Sequence, residues 1–237
     1  VEERFGDEPV LVVAPMALDA AAVPGVIGEL ERAGFRRIRI DGRVLRLDAV
    51  EEVASLTVDG ILQVVVDRLS TGFEWAVAPE AKFIHEDIGD TERLSSVISS
   101  HNVEAIIHFA GSVVVPDSVA DPLSYYQNNT ANSLGLIRAA VQCGVRHVVF
   151  SSTAAVYGTP ATDAPVRETA NLAPESPYGT SKLMTELMLR DAASAHDFTY
   201  AALRYFNVAG ADPRGRTGQS TRGATHLIKV AAEAALG

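Results

Sequence analysis

The chain has 237 residues, a formal net charge of −10 and 47% hydrophobic residues. That length fits one large domain or a domain and a half, with enough apolar material for a buried core. The acidic balance argues against a nucleic-acid partner, because binding nucleic acid needs a basic footprint. No apolar run reaches the ~20 residues that span a bilayer, so we expect no membrane segment. A small-molecule enzyme is the leading class.

Cysteine content bears on the compartment. Cys143 is the only cysteine, which rules out an internal disulfide and suits a reducing environment. The first residues, Val-Glu-Glu-Arg, are charged and form no apolar signal-peptide core. We therefore expect a cytoplasmic protein.

The first sixty residues predict a strand, a helix and a hairpin. "PVLVVAPM" (9–16) has the pattern of a strand, and "VPGVIGELERAG" (23–34) that of a helix that starts at Pro24 and stops at Gly34. In "FRRIRIDGRVLRLD", Asp41-Gly42 lies between two alternating runs and favours a tight antiparallel turn. This order of elements differs from the repeated strand–helix–strand unit of a parallel sheet.

From about Phe83 onward, strands alternate with helices. Strands are predicted in "KFIHEDIGD", "EAIIHFAG", "HVVFSSTAAVYG" and "YAALRYFNVAG". Helices are predicted over 93–100, "PLSYYQNNTANSLGLIRAAVQCG", "SPYGTSKLMTELMLRDAASAH" and "ATHLIKVAAEAALG". The alternation predicts a Rossmann-like α/β fold with a doubly wound parallel sheet. Ligands in such folds bind beyond the carboxyl ends of the strands, so functional residues are expected there.

Tyr178 and Lys182 are candidate catalytic residues, because a spacing of four places both on one helix face. A tyrosine of pKa ≈ 10 works as a base only if a nearby cation stabilises its phenolate. The same spacing is common on amphipathic helices, so it does not assign catalysis alone. Ser151, Ser152 and Thr153 follow a predicted strand, where their hydroxyls either reach a ligand or cap the turn.

From about Asp67 to Gly237 the chain resembles the extended short-chain dehydrogenase/reductase family, most closely its UDP-glucose 4-epimerases. Seven segments in the same order carry the resemblance: "DRLSTGFEW", "DIGD", "HFAG", "DPLSYYQNNT", "FSSTAAVYG", "SPYGTSK" and "LRYFNVAGADP". Related sugar-nucleotide dehydratases carry Thr-Asp-Glu where this chain has Thr153-Ala154-Ala155. The epimerases are therefore the better match.

The resemblance implies an isomerase of galactose metabolism that uses NAD to invert C4 of a UDP-hexose through a 4-keto intermediate. Tyr178 would take the proton of the sugar 4-hydroxyl, and Lys182 would bind the nicotinamide ribose and stabilise the phenolate. Thr153 and Ser152 would hydrogen-bond the same oxygen.

The same resemblance implies binding residues and a homodimer. The implied cofactor-binding residues are Asp67, Asp87, Ile88, Phe109, Ala110, Gly111 and Asn128, with Tyr178 and Lys182. The implied substrate-binding residues are Asn207, His226 and Leu227, with Thr153 and Tyr178. Relatives dimerise through helices that correspond to 122–143 and 178–196 here. No metal site is implied.

Four departures from the family pattern stand out. None of the glycines before Asp67 fits the Gly-x-x-Gly-x-x-Gly turn that would approach the cofactor pyrophosphate. Val113 replaces a lysine that many relatives carry after "FAG", and Arg68 leaves NADP open as an alternative to NAD. Relatives also continue well beyond "KVAAEAALG", so we expect the substrate lobe to be incomplete and activity to be weak or lost.

The N-terminal segment resembles another family. "VLVVAP", "GELERAGFRRIRIDGRVLRLD" and "ILQVVVDRL" resemble the part of the excision-repair ATPase UvrA that includes its UvrB-binding region, without that family's ATP-binding or zinc motifs. We therefore predict a UvrA-like segment over 1–69 and an epimerase-like domain over 70–237, joined as a chimera near "VVVDRL". A diverged but intact N-terminal unit is the alternative. In function, a non-catalytic protein with an N-terminal interaction module is the alternative to the epimerase.

Overall fold

The computed structural model describes residues 37–40, 43–46, 64–79, 81–162, 164–208 and 227–236, with isolated positions at 210, 211, 215, 218 and 220. The chain divides into two compact units, 1–62 and 63–237. The strand predicted over 9–16 and the helix predicted over 23–34 lie outside the described residues.

The first unit contains a two-stranded antiparallel ladder. Strand β1 (Arg37–Ile40) pairs with β2 (Arg43–Arg46), with Ile38 opposite Leu45. This confirms the antiparallel pairing predicted from the two alternating runs on either side of Asp41-Gly42.

The second unit contains two parallel ladders. Strand β3 (Val64–Asp67) pairs with β4 (Lys82–His85). Strands β5 (Ala105–His108), β6 (His147–Thr153) and β7 (Thr199–Tyr205) form a sheet with β6 in the centre. Within the described ranges, β3 and β5 form no ladder with each other. The parallel pairing confirms the predicted α/β class and brings the carboxyl ends of β5, β6 and β7 to one edge.

The helices follow the predicted alternation. They are α1 (Thr91–Ser100), α2 (Val115–Ala120), α3 (Pro122–Tyr125), α4 (Asn132–Gln142), α5 (Pro177–Ala195) and α6 (Leu227–Leu236). Helix α1 begins after Asp90, whose carboxylate accepts from the backbone N–H of Arg93 at 2.9 Å. This side chain satisfies one of the unpaired N–H groups of the first turn. No helix of the described residues is long and apolar enough to cross a membrane.

One predicted helix contains an irregular turn. The pattern over 122–144 predicts one long helix, and the chain is helical from Pro122 to Gln142, with a π-helical turn over Tyr126–Ala131 between α3 and α4. The buried Asn129 in this turn accepts from the Ser112 N–H at 2.8 Å and donates to the Ser112 carbonyl at 2.9 Å. A periodicity pattern does not record these long-range bonds. π-Helical turns are frequent at functional sites.

The core lies where α1, α4 and α5 pack against the three-stranded sheet. Its buried members are Leu94, Ile98, Leu136, Ile137, Ala139, Ala140, Val145, Val148, Phe150, Leu189 and Phe198. On α1, Leu94, Val97 and Ile98 are spaced by three and four residues, which places them on one face. This packing holds the ends of β5 and β6 against the start of α5, where the predicted site lies.

Candidate active site at the carboxyl ends of the strands

The start of α5 is pressed against the turn that follows β6. Ser176 caps the helix by accepting from the Gly179 N–H at 3.1 Å, and Pro177 occupies its first position. A Cβ on the buried Gly179 would lie 2.9 Å from the carbonyl oxygen of Ala155, so a larger residue would push the helix away. This close approach carries Tyr178 and Lys182 to the end of β6.

Lys182 is buried behind that strand end. Only 2% of the residue is exposed, and its ammonium donates to the Ser151 carbonyl at 3.1 Å. The same nitrogen lies 5.0 Å from the ring centroid of Phe150. Burial lowers the pKa of Lys182 to about 8, because desolvation penalises the charged form. The site therefore holds a cation that is unusually easy to deprotonate.

Tyr178 and Thr153 are brought together, as the sequence predicts. The Thr153 oxygen accepts from the Ala155 N–H at 3.2 Å, which leaves its own proton free to bond to Tyr178. Burial raises the pKa of Tyr178, and the hydrogen bond with Thr153 opposes that rise. In the protein alone Tyr178 is therefore a neutral phenol, and a further positive charge is needed to make it a base near pH 7.

Ser152 is placed differently from Thr153. It is 3% exposed, and its hydroxyl donates to the carboxylate of Glu186 on α5. Arg204 on β7 holds the other side of that carboxylate, with Nη2 2.7 Å from Oε2. The Ser152 proton is thus engaged by Glu186 rather than by Tyr178.

Glu186 and Arg204 were missed by sequence reasoning. One signal was available for Glu186, since it follows Lys182 by four residues on the face that carries Tyr178. No local pattern singles out Arg204, because it meets Glu186 only through the packing of α5 on β7.

The segment after β5 lies beside Lys182. Gly111 has a φ of +155°, and a Cβ there would lie 3.0 Å from Asn129 Oδ1 and 3.3 Å from Lys182 Nζ. Phe109 is 60% exposed and Ala110 is exposed as well. Asn128 donates to Ser112 Oγ at 2.9 Å. The glycine therefore lets the segment after β5 pack closely against Asn129 and the buried ammonium of Lys182.

Asn129 was not predicted either. Besides the two Ser112 bonds, its amide donates to Ser181 Oγ at 3.1 Å, so it joins the segment after β5 to the catalytic helix. A tandem Asn pair inside a helical pattern was the available signal, because asparagine is a poor residue for a helix interior.

A polar cavity of about 440 Å³ lies at the ends of β3 and β4. It is lined by Arg68, Asp87, Gly89, Ser124, Gln127, Asn128 and Asn132. Asp87 accepts from the Gly89 N–H at 2.8 Å and pairs with Arg68 at 2.8 Å. These contacts lower the pKa of Asp87, with the Gly89 bond contributing most. The cavity therefore presents a carboxylate, a guanidinium and three amides.

Two other predicted residues lie at or just after the ends of β3 and β4. Asp67, at the end of β3, is half-buried and accepts from the Leu69 N–H. Ile88 is half-buried and packs against the core. The predicted adenosine-binding residues Asp67, Asp87 and Ile88 thus lie around neighbouring strand ends, and their binding roles stay predictions.

The predicted substrate residues are less closely grouped. Asn207 lies just past β7 and is exposed, and Leu227 begins α6 with 76% of its surface exposed. His226 lies outside the described residues. Their roles toward a sugar nucleotide also stay predictions.

The parallel strand ends, the Tyr178–Lys182 pair and the adjacent cavity define an α/β protein of the dinucleotide-binding class. Comparison with family models narrows the class. Residues 52–236 match the NAD dependent epimerase/dehydratase family, to which the chain belongs. Residues 3–77 match the UvrA interaction domain. Both resemblances predicted from the sequence are confirmed, and the two matches overlap over 52–77, which includes "VVVDRL".

Individual relatives agree with the family. A UDP-glucose 4-epimerase of Azospirillum brasilense is 57% identical over 183 residues, which cover 77% of this chain and 52% of the relative. The crystal structure of the Brucella ovis UDP-glucose 4-epimerase with NAD superposes with a TM-score of 0.71 at 39% identity, covering 79% of this chain and 55% of that one.

A more distant structure is that of the Thermotoga maritima UDP-glucose 4-epimerase with UDP-glucose. Its TM-score is 0.60 at 29% identity, with 89% of this chain and 60% of that chain covered. The chain spans about half the length of the curated relatives it matches.

Proposed function

We propose that the chain performs NAD-dependent inversion at C4 of a UDP-hexose, through a 4-keto intermediate, as an isomerase of galactose metabolism. The observation that carries the proposal is the placement of Tyr178 beside Thr153 at the end of β6, one helical turn before the buried Lys182. Family membership and the relatives named above support it.

The described residues fit NAD in two places. The cavity at Asp87 and Arg68 offers polar partners for the adenosine half. Tyr178 and Lys182, on the first turns of α5 at the end of β6, would hold the nicotinamide half. When bound, NAD supplies a positively charged nicotinamide ring that accepts a hydride. The segment before β3, where a phosphate-binding turn would fall, lies outside the described residues.

The chain's own residues handle the proton. With both the Lys182 ammonium and the positively charged nicotinamide ring nearby, Tyr178 would ionise to a phenolate. The phenolate would then accept the proton of the sugar 4-hydroxyl. Thr153 donates to the same phenolate oxygen and keeps it aimed at the substrate oxygen. Lys182 keeps its ammonium behind the site by donating to the Ser151 carbonyl. With NAD held beside these residues as the carrier of the C4 hydride, Tyr178 would hold the proton while the sugar is at the 4-keto level and would then return it to the same oxygen.

The substrate is proposed to be UDP-glucose and UDP-galactose. Asn207, His226 and Leu227 are the proposed contacts to the sugar nucleotide. The Thermotoga relative was solved with UDP-glucose, which supports this substrate class.

The test starts with the small molecules that the purified chain releases on denaturation, identified by mass spectrometry. We expect NAD, together with conversion of UDP-galactose to UDP-glucose. Tyr178→Phe should lower turnover by about 10²- to 10⁴-fold and leave NAD content unchanged. Tyr200→Phe, on the core side of β7, is the matched control and should retain turnover. Absence of NAD, with none taken up on addition and no turnover, would overturn the proposal.

A second candidate rests on the match of residues 3–77 to the UvrA interaction domain. In this case the chain is a non-catalytic protein whose N-terminal segment binds a protein partner, and the resemblance implies UvrB. Titration of the full chain with purified UvrB by calorimetry tests it. If the chain binds UvrB but binds neither NAD nor UDP-hexose, this candidate is favoured over the epimerase.

We further propose that the chain forms a homodimer through the helices of 122–143 and 178–196. We also propose that the protein is cytoplasmic and binds no nucleic acid. Four large apolar side chains on these helices are exposed: Leu123, Leu134, Met184 and Leu187 at 77%, 44%, 41% and 38%. Sedimentation equilibrium should give twice the mass of the chain, and Met184→Glu should shift it toward the monomer. A monomer at all concentrations would contradict the dimer.

A further inference from the structure

A charged pair lies directly behind the catalytic hydroxyls. The carboxylate of Glu186 on α5 takes three bonds from the Arg204 guanidinium on β7, at 2.7, 3.0 and 3.3 Å. The two side chains are only 8% and 19% exposed. Removing two charges from water is costly, so a buried pair needs near-complete hydrogen bonding to persist.

The remaining bonds of Arg204 reach two further segments. Its Nη1 donates to the Tyr157 hydroxyl at 2.9 Å and to the Glu168 carbonyl at 3.1 Å, and the guanidinium lies 4.9 Å from the Tyr157 ring centroid. The pair is therefore anchored by α5, β7 and the two segments that follow β6. It has little freedom to move.

The pair holds the end of β6 through a single hydroxyl. Ser152 lies opposite Arg204 in the β6–β7 ladder and donates to Glu186, while the next residue, Thr153, lies beside Tyr178 and acts on its pKa. Side chains alternate along a strand, so Ser152 points to the pair as Thr153 points to the site. The last residues of β6 are thus fastened from the side opposite to the reacting atoms.

We infer that Glu186 and Arg204 are positioning residues that act through Ser152 to hold the Thr153 hydroxyl on Tyr178. The inference deepens the proposed function and rests on it for its catalytic meaning. It assigns Ser152 a role in holding the strand end and leaves Thr153 as the hydroxyl that touches the reacting oxygen.

The test measures the pKa of Tyr178 by NMR of tyrosine labelled at Cζ, with Tyr178→Phe to assign the signal, and needs no cofactor. Ser152→Ala leaves the Glu186–Arg204 pair intact but cuts its link to β6. We expect the pKa of Tyr178 to rise by about 0.5 to 1, the value of one weakened hydrogen bond. Lys182 and Tyr125, the titratable neighbours of Tyr178, are unchanged in this variant.

Three companion variants separate positioning from general stability. Ser152→Thr restores a hydroxyl and should restore the pKa. Glu186→Gln should raise the pKa of Tyr178. In the double variant, adding Ser152→Ala to Glu186→Gln should have no further effect on that pKa. Asp191→Asn removes an exposed ion pair with Arg190 on the same helix and should leave the pKa unchanged.

Turnover completes the test. In an active enzyme, Ser152→Ala should lower kcat about 10-fold with KM nearly unchanged, since the substrate contacts remain. An unchanged pKa of Tyr178 in Ser152→Ala overturns the inference whatever the activity. A raised pKa in a chain that turns over no UDP-hexose supports the positioning geometry and rejects the proposed function.

Discussion

The guanidinium of Arg68 lies 2.8 Å from the carboxylate of Asp87, across the mouth of the cavity at the ends of β3 and β4. The sequence left NADP open as a cofactor because Arg68 follows Asp67. In the structure the positive charge of Arg68 is already engaged, so it is not free to meet a ribose 2′-phosphate. This pairing favours NAD.

We predict that Asp87→Asn shifts the cofactor preference toward NADP. The substitution releases Arg68 and removes a negative charge near the ribose position, so the NADP to NAD ratio of dissociation constants should fall about 10-fold. Fluorescence titration with both reduced cofactors measures this ratio. Glu86→Gln, which breaks the neighbouring ion pair with Arg93, is the control. An unchanged ratio in Asp87→Asn would show that the pair does not govern the choice.

Acid should destabilise the protein through His108. This residue is 4% exposed at the end of β5, and burial lowers its pKa to about 3. Because Ser133 donates its proton to the Asn129 carbonyl, His108 Nε2–H must be the donor to Ser133 Oγ at 2.8 Å. The folded chain therefore keeps this imidazole neutral.

The sign of the effect follows from that lowered pKa. Between about pH 3 and 6.5 the unfolded chain binds one more proton at this site, so the free energy of unfolding falls as the pH falls. From pH 6.5 to 5 the loss should be roughly 2 kcal/mol. Chemical denaturation measures the free energy of unfolding at each pH. Its pH dependence should be flatter in His108→Gln and should match the wild type in His196→Gln, at an exposed position. Parallel curves for His108→Gln and the wild type would contradict this.

Alkaline pH should stabilise the protein through Lys182. Its pKa is about 8 in the fold, against 10.5 for a lysine side chain exposed to water. Between these values the unfolded chain binds more protons, so the free energy of unfolding rises with pH, by about 1 to 2 kcal/mol from pH 8 to 9.5. Lys182→Met should lack this rise, whereas the exposed Lys82→Met should keep it. Above about pH 10 the raised pKa of Tyr178 acts in the opposite direction.

Gly158 should tolerate no side chain. Its φ is +68°, and a Cβ would lie 2.1 Å from the carbonyl oxygen of Ala173. Gly144 has a similar φ of +75° but no atom within 4 Å of its Cβ position. Gly144→Ala should therefore cost only the left-handed conformation, about 1 kcal/mol, and Gly158→Ala at least about 3 kcal/mol. Equal unfolding midpoints for the two variants would contradict the steric account.

Much of the site could be predicted from local patterns. Ser176 and Pro177 mark the start of α5, and the spacing of Tyr178 and Lys182 places them on one face of it. Each of these features depends on residues within one or two turns of each other. The π-helical turn within the 122–144 helix could not be predicted, because helical periodicity does not record long-range bonds such as those between Asn129 and Ser112.

The alternation of strands and helices, the antiparallel ladder before Asp67 and the Tyr178–Lys182 pair follow from the sequence alone. They are consequences of short-range periodicity, capping and side-chain chemistry. Packing, in contrast, turns Ser152 to Glu186 and Thr153 to Tyr178, and it pairs Arg68 with Asp87. It also decided the burial that lowers the pKa of Lys182 and raises that of Tyr178. Those properties depend on desolvation and on charges that packing brings together from distant parts of the chain, which sequence neighbours do not record.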